Sequence, residues 1–413
     1  MSHLSRALLC LLLGATLAPA ETRTVAFTVS AGKYDRKDEV VRVPVPFPKG
    51  GHVKGVKILD AKGKSFAVGQ VVHGGLASSA AETDRELFFV LPALKAGATL
   101  DLTAELDIGA RVPAGPDDFT WTHTTGLETL SRGKRPVLRF NRPELDESSP
   151  KTREATFKPF HEVYAPDGTA LVTKGVGGQF THHRGLFYGF MKATYGKNTV
   201  DIWHCKGDTH QAAQGMFLVE SGPVLGRHRV AIDWNGVKKE TFAKEEREVS
   251  AFAVPGGTLI EFASKLTPTD LPVKLDGDPQ HAGFHFRASN EVAEKTLKQT
   301  IFIRPDGPGK PGTEVNWPGD KKHVDLPWLG MSFVVGGKRY TAAYLDRPTN
   351  PKQARFSERT YGRVGSYFVA TATKEKPLAV VYRVWLQEGE MTPAEIAAKS
   401  RAFVEPVTVT KKN

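Results

Sequence analysis

Gln280-His281-Ala282-Gly283-Phe284-His285-Phe286-Arg287-Ala288 alternates apolar and polar side chains along the chain. Successive side chains of a β-strand point to opposite faces of its sheet. The even positions therefore form an apolar face, whereas the odd positions present two imidazoles and a guanidinium, with Gly283 leaving room between them. The pattern predicts a strand whose one face is buried in a core and whose other face is the floor of a ligand cleft. An ordinary solvated face is the alternative.

Short runs of this kind, bounded by Gly, Pro, Asp and Asn, recur along a chain that holds 40 glycines and 27 prolines. This punctuation is typical of all-β proteins. Clear runs lie at residues 40–45, 87–91, 259–262, 331–335 and 380–386. The charged run 245–248 (Glu-Glu-Arg-Glu) predicts an exposed strand edge. One helix is predicted near the C-terminus, where Thr392 is the cap, Pro393 occupies the first turn and Glu395 completes a capping box.

The chain divides near the Pro- and Gly-rich segment 111–118. We predict a signal peptide at residues 1–20, an N-terminal β-sandwich module at 21–112, a linker at 113–130 and a large β domain at 131–413. The last segment is too long for one ordinary sandwich and predicts an extended two-sheet assembly.

The N-terminus has the features of a secretion signal, with Arg6 before an apolar run and Ala18-Pro19-Ala20 as the cleavage site. The apolar run is far shorter than the roughly 20 residues that span a bilayer. We therefore expect cleavage near Ala20 and an exported protein, periplasmic or extracellular, that is not membrane-spanning. Cleavage leaves Cys205 as the only cysteine, so no intramolecular disulfide is expected. Cys205 is interpreted as a buried apolar filler, with a nucleophile or soft metal ligand as the alternative.

The formal net charge is +11, but the basic residues are scattered and form no recognition helix or basic-aromatic module. This distribution argues against a nucleic-acid partner and favours a solvated basic surface or contact with polyanionic envelope material. The sequence does not indicate an oligomeric state.

Histidines are concentrated in one part of the chain: eight of the 13 lie between positions 161 and 285. Two are adjacent in Thr181-His182-His183-Arg184-Gly185, before an apolar run. Imidazole suits proton transfer, metal ligation or polar substrate contact near neutral pH. The cluster predicts a site for catalysis or for binding a polar ligand.

Two further clusters contain aromatic and charged residues. Asp201-Ile202-Trp203-His204 continues to His210, and an indole beside Asp and His suits a sugar site, with a buried structural Trp as the alternative. Histidines 182, 183, 204 and 210 could also bind a metal, but their spacing matches no helical His-x-x-x-His signature, so we expect no metal and no cofactor. The third cluster is 355–363, preceded by 346–351; its arginines clamp a ligand or form surface ion pairs. No nucleophile elbow, phosphate loop or dinucleotide fingerprint is present, and the sequence selects no glycosidase carboxylate pair.

Several motifs agree in order with one known family. They are Phe157-Lys158-Pro159-Phe160-His161, Ala165-Pro166-Asp167-Gly168, Thr181-His182-His183-Arg184-Gly185, Asp201-Ile202-Trp203-His204, Gln280-His281-Ala282-Gly283, Arg347-Pro348-Thr349-Asn350-Pro351 and Ser357-Glu358-Arg359-Thr360-Tyr361-Gly362. Over residues 130–405 the chain resembles the exported "methane oxygenase PmoA family" proteins, which abound in planctomycetes and other polysaccharide degraders. The resemblance implies a galactose mutarotase-like β-supersandwich. Thr181 stands where Pro is common in that family, and Arg347 where His is common.

These observations lead to three hypotheses. The first is an exported carbohydrate-active enzyme (a hydrolase, lyase or epimerase) with His-based acid/base catalysis; the second is a non-catalytic glycan-binding protein; the third is a metal-dependent oxygenase, as the family label suggests. The predicted catalytic residues are His182, His183 and His204. The predicted substrate-binding residues are Arg184, Trp203, His281, His285, Arg287, Asn350, Glu358, Arg359 and Tyr361.

Overall fold

A computed structural model describes residues 21–45, 52–76, 78, 85–109 and 113–412 of the chain. The predicted signal peptide at 1–20 lies outside the described residues. None of the described helices is long and apolar enough to cross a membrane.

The chain is built almost entirely of strands. The first part contains β1 (Glu21–Ser30), β2 (Arg36–Val45), β3 (Val53–Asp60), β4 (Ser65–His73), β5 (Arg85–Leu94) and β6 (Thr99–Ile108). The middle part contains β7 (Phe119–Thr124), β8 (Leu127–Arg132), β9 (Arg135–Asn141), α1 (Pro150–Thr156), β10 (Phe160–Val163), β11 (Leu186–Phe190), β12 (Lys192–Tyr195), β13 (Asn198–Val200), β14 (His210–Glu220), β15 (Leu225–Asn235), β16 (Thr241–Phe252), β17 (Thr258–Pro268), β18 (Val273–Asp276) and β19 (Ala282–Arg287). The last part contains a π-helical turn (Val292–Thr296), a 3₁₀ turn (Leu297–Gln299), β20 (Ile301–Arg304), β21 (Gly307–Pro308), β22 (Trp328–Val335), β23 (Lys338–Asp346), β24 (Arg355–Arg359), β25 (Arg363–Tyr367), β26 (Ala370–Ala372), β27 (Leu378–Glu388), α2 (Pro393–Val404) and β28 (Thr408–Lys411).

The N-terminal strands form a seven-stranded sheet in the order β2-β5-β4-β3-β6-β1-β28. The sheet curls on itself, because the rings of Phe27 in β1 and Phe89 in β5 lie 5.9 Å apart although three strands separate them. Its inner face encloses a separate apolar core that includes Val41, Ile58 and Leu102. The module therefore has the character of a small sandwich made from one continuous sheet.

Two larger sheets form the predicted supersandwich. An eight-stranded sheet (β24-β25-β19-β11-β10-β9-β8-β7) packs against a nine-stranded sheet (β14-β15-β16-β17-β27-β23-β22-β20-β21) across one apolar core. Phe284 of the first sheet stacks on Phe262 of the second, with ring centroids 4.3 Å apart. A four-stranded sheet (β13-β12-β18-β26) adds residues such as Leu275 to the same core. The predicted all-β, two-sheet fold is confirmed.

The alternation in β19 is also confirmed. Ala282, Phe284 and Phe286 are fully buried in the core between the two sheets. His285 lies opposite Phe187 of β11 on one side and Gly365 of β25 on the other. His285 and Arg287 therefore belong to the outer face of the eight-stranded sheet, away from the nine-stranded sheet.

Three details differ from the sequence predictions. Residues 119–124 of the predicted linker form β7, which pairs with β8, because the Pro- and Gly-rich composition ends at Asp118. Residues 408–411 of the predicted large domain pair instead with β1 of the N-terminal sheet. The run 245–248 lies in β16, an interior strand of the nine-stranded sheet, where Glu245 and Arg247 are buried and paired at 2.8 Å. Mutual neutralisation allows charges that would otherwise stay at an edge to be buried.

The predicted C-terminal helix is α2. Thr392 accepts a hydrogen bond from the Glu395 backbone, and the Glu395 side chain accepts one from the Thr392 backbone, so the capping box is confirmed. Ile396 is buried on its inner side. A Cβ at Gly330 of β22 would contact the Ile396 side chain, so this glycine lets the helix approach the sheet closely.

Candidate functional site

The outer face of the eight-stranded sheet carries the polar side of β19. The His285 imidazole accepts a hydrogen bond at Nδ1 from Nη1 of Arg363, at 3.0 Å. Arg363 also donates to the hydroxyl of Ser357, at 2.7 Å. Gly365 lies beside the His285 ring, and a Cβ at that position would collide with the imidazole. The absence of a side chain at Gly365 therefore gives the imidazole its place on the sheet.

Three histidines from separate loops meet above this face. The ring centroid of His182 lies 4.4 Å from that of His204 and 5.5 Å from that of His281, and the last two are 4.7 Å apart. One ring nitrogen from each residue lies within 4.8 Å of the others. All three side chains are half-buried.

Two carboxylates orient these imidazoles. Nδ1 of His204 donates to Asp201 Oδ2 at 2.8 Å, and Asp201 Oδ1 accepts hydrogen bonds from the backbone N–H groups of Trp203 and His204. Nδ1 of His281 donates to Asp278 Oδ2 at 3.0 Å. In a neutral imidazole that donates from Nδ1, the lone pair is on Nε2. His204 and His281 therefore each present a lone pair, in the carboxylate–histidine arrangement of metal sites.

His182 completes the set of nitrogens. Its Nε2 is buried and has no hydrogen-bond partner among the described residues. Burial, followed by the charges of His204 and Lys158, lowers the pKa of His182 to about 2. The ring is therefore neutral at physiological pH, the state in which imidazole binds metals.

The separation of the three nitrogens is close to that of a metal triad. Zinc–nitrogen bonds of about 2.0–2.1 Å in a tetrahedron place two ligand nitrogens roughly 3.4 Å apart. Small side-chain rotations would bring atoms that now lie within 4.8 Å to that distance. Three protein ligands leave the fourth position open, which is the arrangement of catalytic rather than structural zinc sites. This finding argues against the expectation of no metal.

His183 and Trp203 form a wall beside the triad. His183 is buried, and neither of its ring nitrogens has a partner among the described residues. Burial, followed by the charge of Arg363, holds the pKa of His183 well below its usual range, so the ring is neutral at neutral pH and supplies no imidazolium proton. The acid/base role of His183 stays a prediction. Trp203 is only 1% exposed, and the rings of His183, Phe187 and His285 pack against it. Its indole presents no open face to a sugar ring.

Tyr361 connects the triad to Arg287. Its ring lies 4.7 Å from the guanidinium carbon of Arg287 and 6.0 Å from the His183 ring. Phe180 covers the Tyr361 ring from the solvent side, at 4.6 Å. The structure thus brings together eight of the predicted residues: His182, His183, Trp203, His204, His281, His285, Arg287 and Tyr361.

The remaining predicted residues lie apart from the triad. Arg184 turns away from it: Nη2 donates to the Glu154 carbonyl oxygen at 2.7 Å, and the guanidinium packs over Phe157 and Phe160. Arg359 is on the outer face of the sheet but pairs with Glu314 at 3.1 Å.

Asn350 and Glu358 have structural partners. The Asn350 side chain bonds to Asp346 and to both backbone groups of Val381, which fixes the turn after β23. Glu358 points to the inner side of β24, where it pairs with Arg304 at 2.7 Å. Period-two alternation places it opposite the face that carries Ser357 and Arg363.

The predicted site residues did not include the orienting carboxylate Asp278, nor Lys158, whose Nζ donates to the Trp203 carbonyl oxygen. Arg363 belonged to the predicted cluster 355–363, but its contact with His285 was not predicted. A signal for the carboxylates exists, because Asp201-Ile202-Trp203-His204 and Asp278-Pro279-Gln280-His281 share the spacing Asp-x-x-His. In both, the aspartate receives the Nδ1–H of the histidine three residues later.

Fold and site together define an all-β protein with a half-buried histidine triad on the outer face of its larger sandwich. A model of a family of unknown function, DUF6807, matches residues 128–401 of the 413-residue chain, and the protein belongs to this family. No curated protein matches the sequence.

Two solved structures are similar at low level. One is an α-mannosidase from Enterococcus faecalis V583, with 10% identity, a TM-score of 0.36, and coverage of 94% of this chain and 46% of the other. The second is a protein in glycosyl hydrolase family 38 from Enterococcus faecalis, with 10% identity, a TM-score of 0.35, and coverage of 94% and 47%. The chain spans about half the length of each of these proteins.

Proposed function

We propose that the protein is a metal-dependent enzyme whose active centre is a divalent metal ion bound by His182, His204 and His281. The observation that supports this most directly is the convergence of three imidazole nitrogens within 4.8 Å, two of them on rings held by a carboxylate at Nδ1. Histidines that only fill a core do not need a carboxylate at the ring nitrogen that faces away from the other histidines.

Zinc is the metal that this ligand set suits best. Neutral imidazoles bind Zn, Cu, Fe and Ni, but the common non-haem iron oxygenase site uses two histidines and a carboxylate as direct ligands. Here both nearby carboxylates, Asp201 and Asp278, contact the far nitrogens of the rings. We therefore prefer a hydrolase or lyase to the oxygenase that the resemblance to the PmoA family suggests. A zinc ion in such a site supplies a bound water with a pKa near 7 and polarises an oxygen of the substrate.

The chain's own residues would bind and orient the substrate around this centre. His183 offers two unpartnered ring nitrogens next to the triad, and Trp203 and His285 each hold an unpartnered N–H or ring nitrogen. Groups of this kind suit hydroxyl-rich ligands, because a hydroxyl both donates and accepts. We propose a sugar or oligosaccharide as the substrate class. A non-catalytic glycan-binding protein remains the second candidate, and it needs no open metal position.

The first experiment measures metal content. Protein purified without chelators and loaded with zinc should contain about one ion per chain, as a site with three histidine ligands predicts. Variants His182→Ala, His204→Ala and His281→Ala should lose the ion. His73→Ala is the matched control, because His73 also contacts a carboxylate, Glu220, but lies outside the triad. Metal content that does not change in the triad variants would overturn the proposal.

The second experiment tests turnover. The zinc-loaded protein is incubated with a glycan library and the products are analysed. If the protein is an enzyme, replacing the metal ligand His204 by Ala should abolish turnover and leave most of the glycan affinity, whereas a binding protein should show no turnover in either form. The predicted signal peptide adds a further proposal, export, which N-terminal sequencing of the protein recovered outside the cytoplasm would test.

A further inference from the structure

Five buried cationic side chains in the site and in the layer of residues around it have no acidic partner. Each of these residues is at most 1% exposed: Lys158, Lys174, Arg184, Arg287 and Arg363. None of the five forms an ion pair with an aspartate or glutamate in the described part of the chain. Charged groups at this depth normally have such a partner, because removing a charge from water without compensation is costly.

Buried arginines elsewhere in the protein follow that rule. Arg247 pairs with Glu245 at 2.8 Å, and Arg36 pairs with Glu39 at 3.2 Å. The lack of partners is therefore a property of this site and not of the fold as a whole. Burial is also the main reason why the pKa of Lys174 falls to about 7 and that of Arg287 to about 10.

The unpartnered N–H groups of Arg287 indicate which chemical group would bind there. Its Nη1 donates to the carbonyl oxygens of Ala288 and Tyr361. Its Nε and Nη2 are buried and have no partner among the described residues. These two N–H groups form one edge of the guanidinium fork, and that edge matches the two oxygens of a carboxylate.

Two aromatic rings connect Arg287 to the proposed metal centre. Tyr361 contacts both Arg287 and His183, and His183 is 4.4 Å from the His182 ring. Lys174 is held next to Arg287, because its backbone N–H donates to the Arg287 carbonyl oxygen at 3.0 Å. The ring of Tyr361 lies over the guanidinium, and Phe180 packs against the Tyr361 ring.

We infer that the substrate is anionic and that its carboxylate binds the free edge of Arg287, which makes a sugar acid the substrate class. This inference rests on the proposed function for the chemistry at the metal, but the anion site itself consists of residues outside the triad. The carboxylate would supply the negative partner that Arg287 lacks, so its binding should stabilise the folded protein.

The test measures the melting temperature of the full chain, zinc-loaded and metal-free, with matched millimolar concentrations of D-glucuronate, D-galacturonate, D-glucose and inorganic phosphate. Both uronates should raise the melting temperature, and glucose should raise it less or not at all. Equal shifts with glucose, or no shift with either uronate, would overturn the inference. A shift with phosphate and not with the uronates would overturn the carboxylate assignment.

Arg287→Gln supplies the residue-level test. Loss of a charge-assisted bidentate contact should weaken uronate affinity roughly 10- to 100-fold. The unliganded variant should melt no lower than the wild type, because it no longer buries an unpaired charge. Arg287→Lys keeps the charge without the fork and should be weakened too, which covers the case in which the glutamine variant does not fold. Arg132→Gln, at the end of β8, is the control.

The two proposals fail separately. If uronates bind and zinc does not, the proposed metal enzyme fails and the anion site survives. If zinc binds at the triad and Arg287→Gln leaves uronate affinity unchanged, the substrate assignment fails and the metal centre survives.

Discussion

Replacing Asp201 by asparagine tests whether the carboxylates orient the triad. In the wild type, Asp201 Oδ2 accepts the Nδ1–H of His204 at 2.8 Å, so Nε2 of His204 carries the lone pair. The asparagine side chain of the variant would retain one oxygen for the backbone N–H groups of Trp203 and His204, which now bond to Oδ1. Its amide N–H₂ would then face Nδ1 as a donor. The ring would respond by moving its proton to Nε2, where it blocks the metal.

The expected size of the effect follows from this geometry. Loss of an outer carboxylate typically lowers metal affinity by about 10- to 100-fold, or about 1.4–2.7 kcal/mol. Asp201→Asn should cause a loss of metal affinity near the upper end of this range, because the Asp201 side chain is only 15% exposed. Asp278→Asn should fall near the lower end, because the Asp278 side chain is 38% exposed and water can replace its contact.

The assay is zinc titration in competition with a chelator of known affinity, with the melting temperature of the metal-free protein measured in parallel. Asp208→Asn is the matched control, since Asp208 is an exposed residue of the same loop. Affinities of Asp201→Asn and Asp208→Asn that are both equal to the wild type would refute the orienting role. A metal-free melting temperature that falls only in Asp201→Asn would point to loop stability as the cause.

Three other predictions concern the rest of the molecule. Burial lowers the pKa of His228 to about 3, so between about pH 6.5 and 3 the unfolded chain binds a proton that the folded chain does not. The free energy of unfolding of the metal-free protein should therefore fall as pH falls through 6.5, and His228→Gln should reduce that pH dependence by about 1.4 kcal/mol per pH unit. Denaturant titrations at several pH values measure this, and an unchanged pH dependence in the variant would contradict the assignment. Phe284→Ala removes a ring buried between the two large sheets and should lower the free energy of unfolding by about 3–5 kcal/mol, measured by urea titration; a loss below about 1 kcal/mol would show that the core closes around the gap. Burial raises the pKa of the Cys205 thiol to about 11, so iodoacetamide should label the protein only after unfolding, and rapid labelling of the native protein would argue against a buried filler.

The fold could be predicted where a local residue pattern determines a single strand or helix. Phe284 and His285 lie on opposite faces of β19 because a strand has a fixed period of two, and Thr392 caps α2 because capping depends on neighbouring residues alone. The run 245–248 could not be predicted correctly, because its burial depends on partners in other strands, such as Arg229 for Glu248. Local sequence holds no information about such partners.

Only part of the candidate site could be predicted, because it too depends on contacts between residues far apart in sequence. The histidines were identifiable by their chemistry, but the triad draws on loops around residues 182, 204 and 281, and no sequence spacing constrains ligands that distant tertiary contacts bring together. Glu358 and Asn350 have side chains that could bind a ligand, but both have structural partners instead. Glu358 lies on the inner side of β24 and pairs with Arg304, and Asn350 lies in the turn after β23 and bonds to Asp346. The unpaired state of Arg287 is visible only when all of its neighbours are known.

The pairing of β28 with β1 affects how the protein is made. Ser30 of β1 lies beside Thr408 of β28, so β28 joins the N-terminal sheet only after residues 408–411 have left the ribosome. Until then, the backbone groups of β1 on that side are an open edge that other strands can join. Contacts between residues this far apart in sequence form slowly. Assembly during synthesis should therefore begin with β1 to β6, continue with the larger sandwich, and end when β28 joins the first sheet.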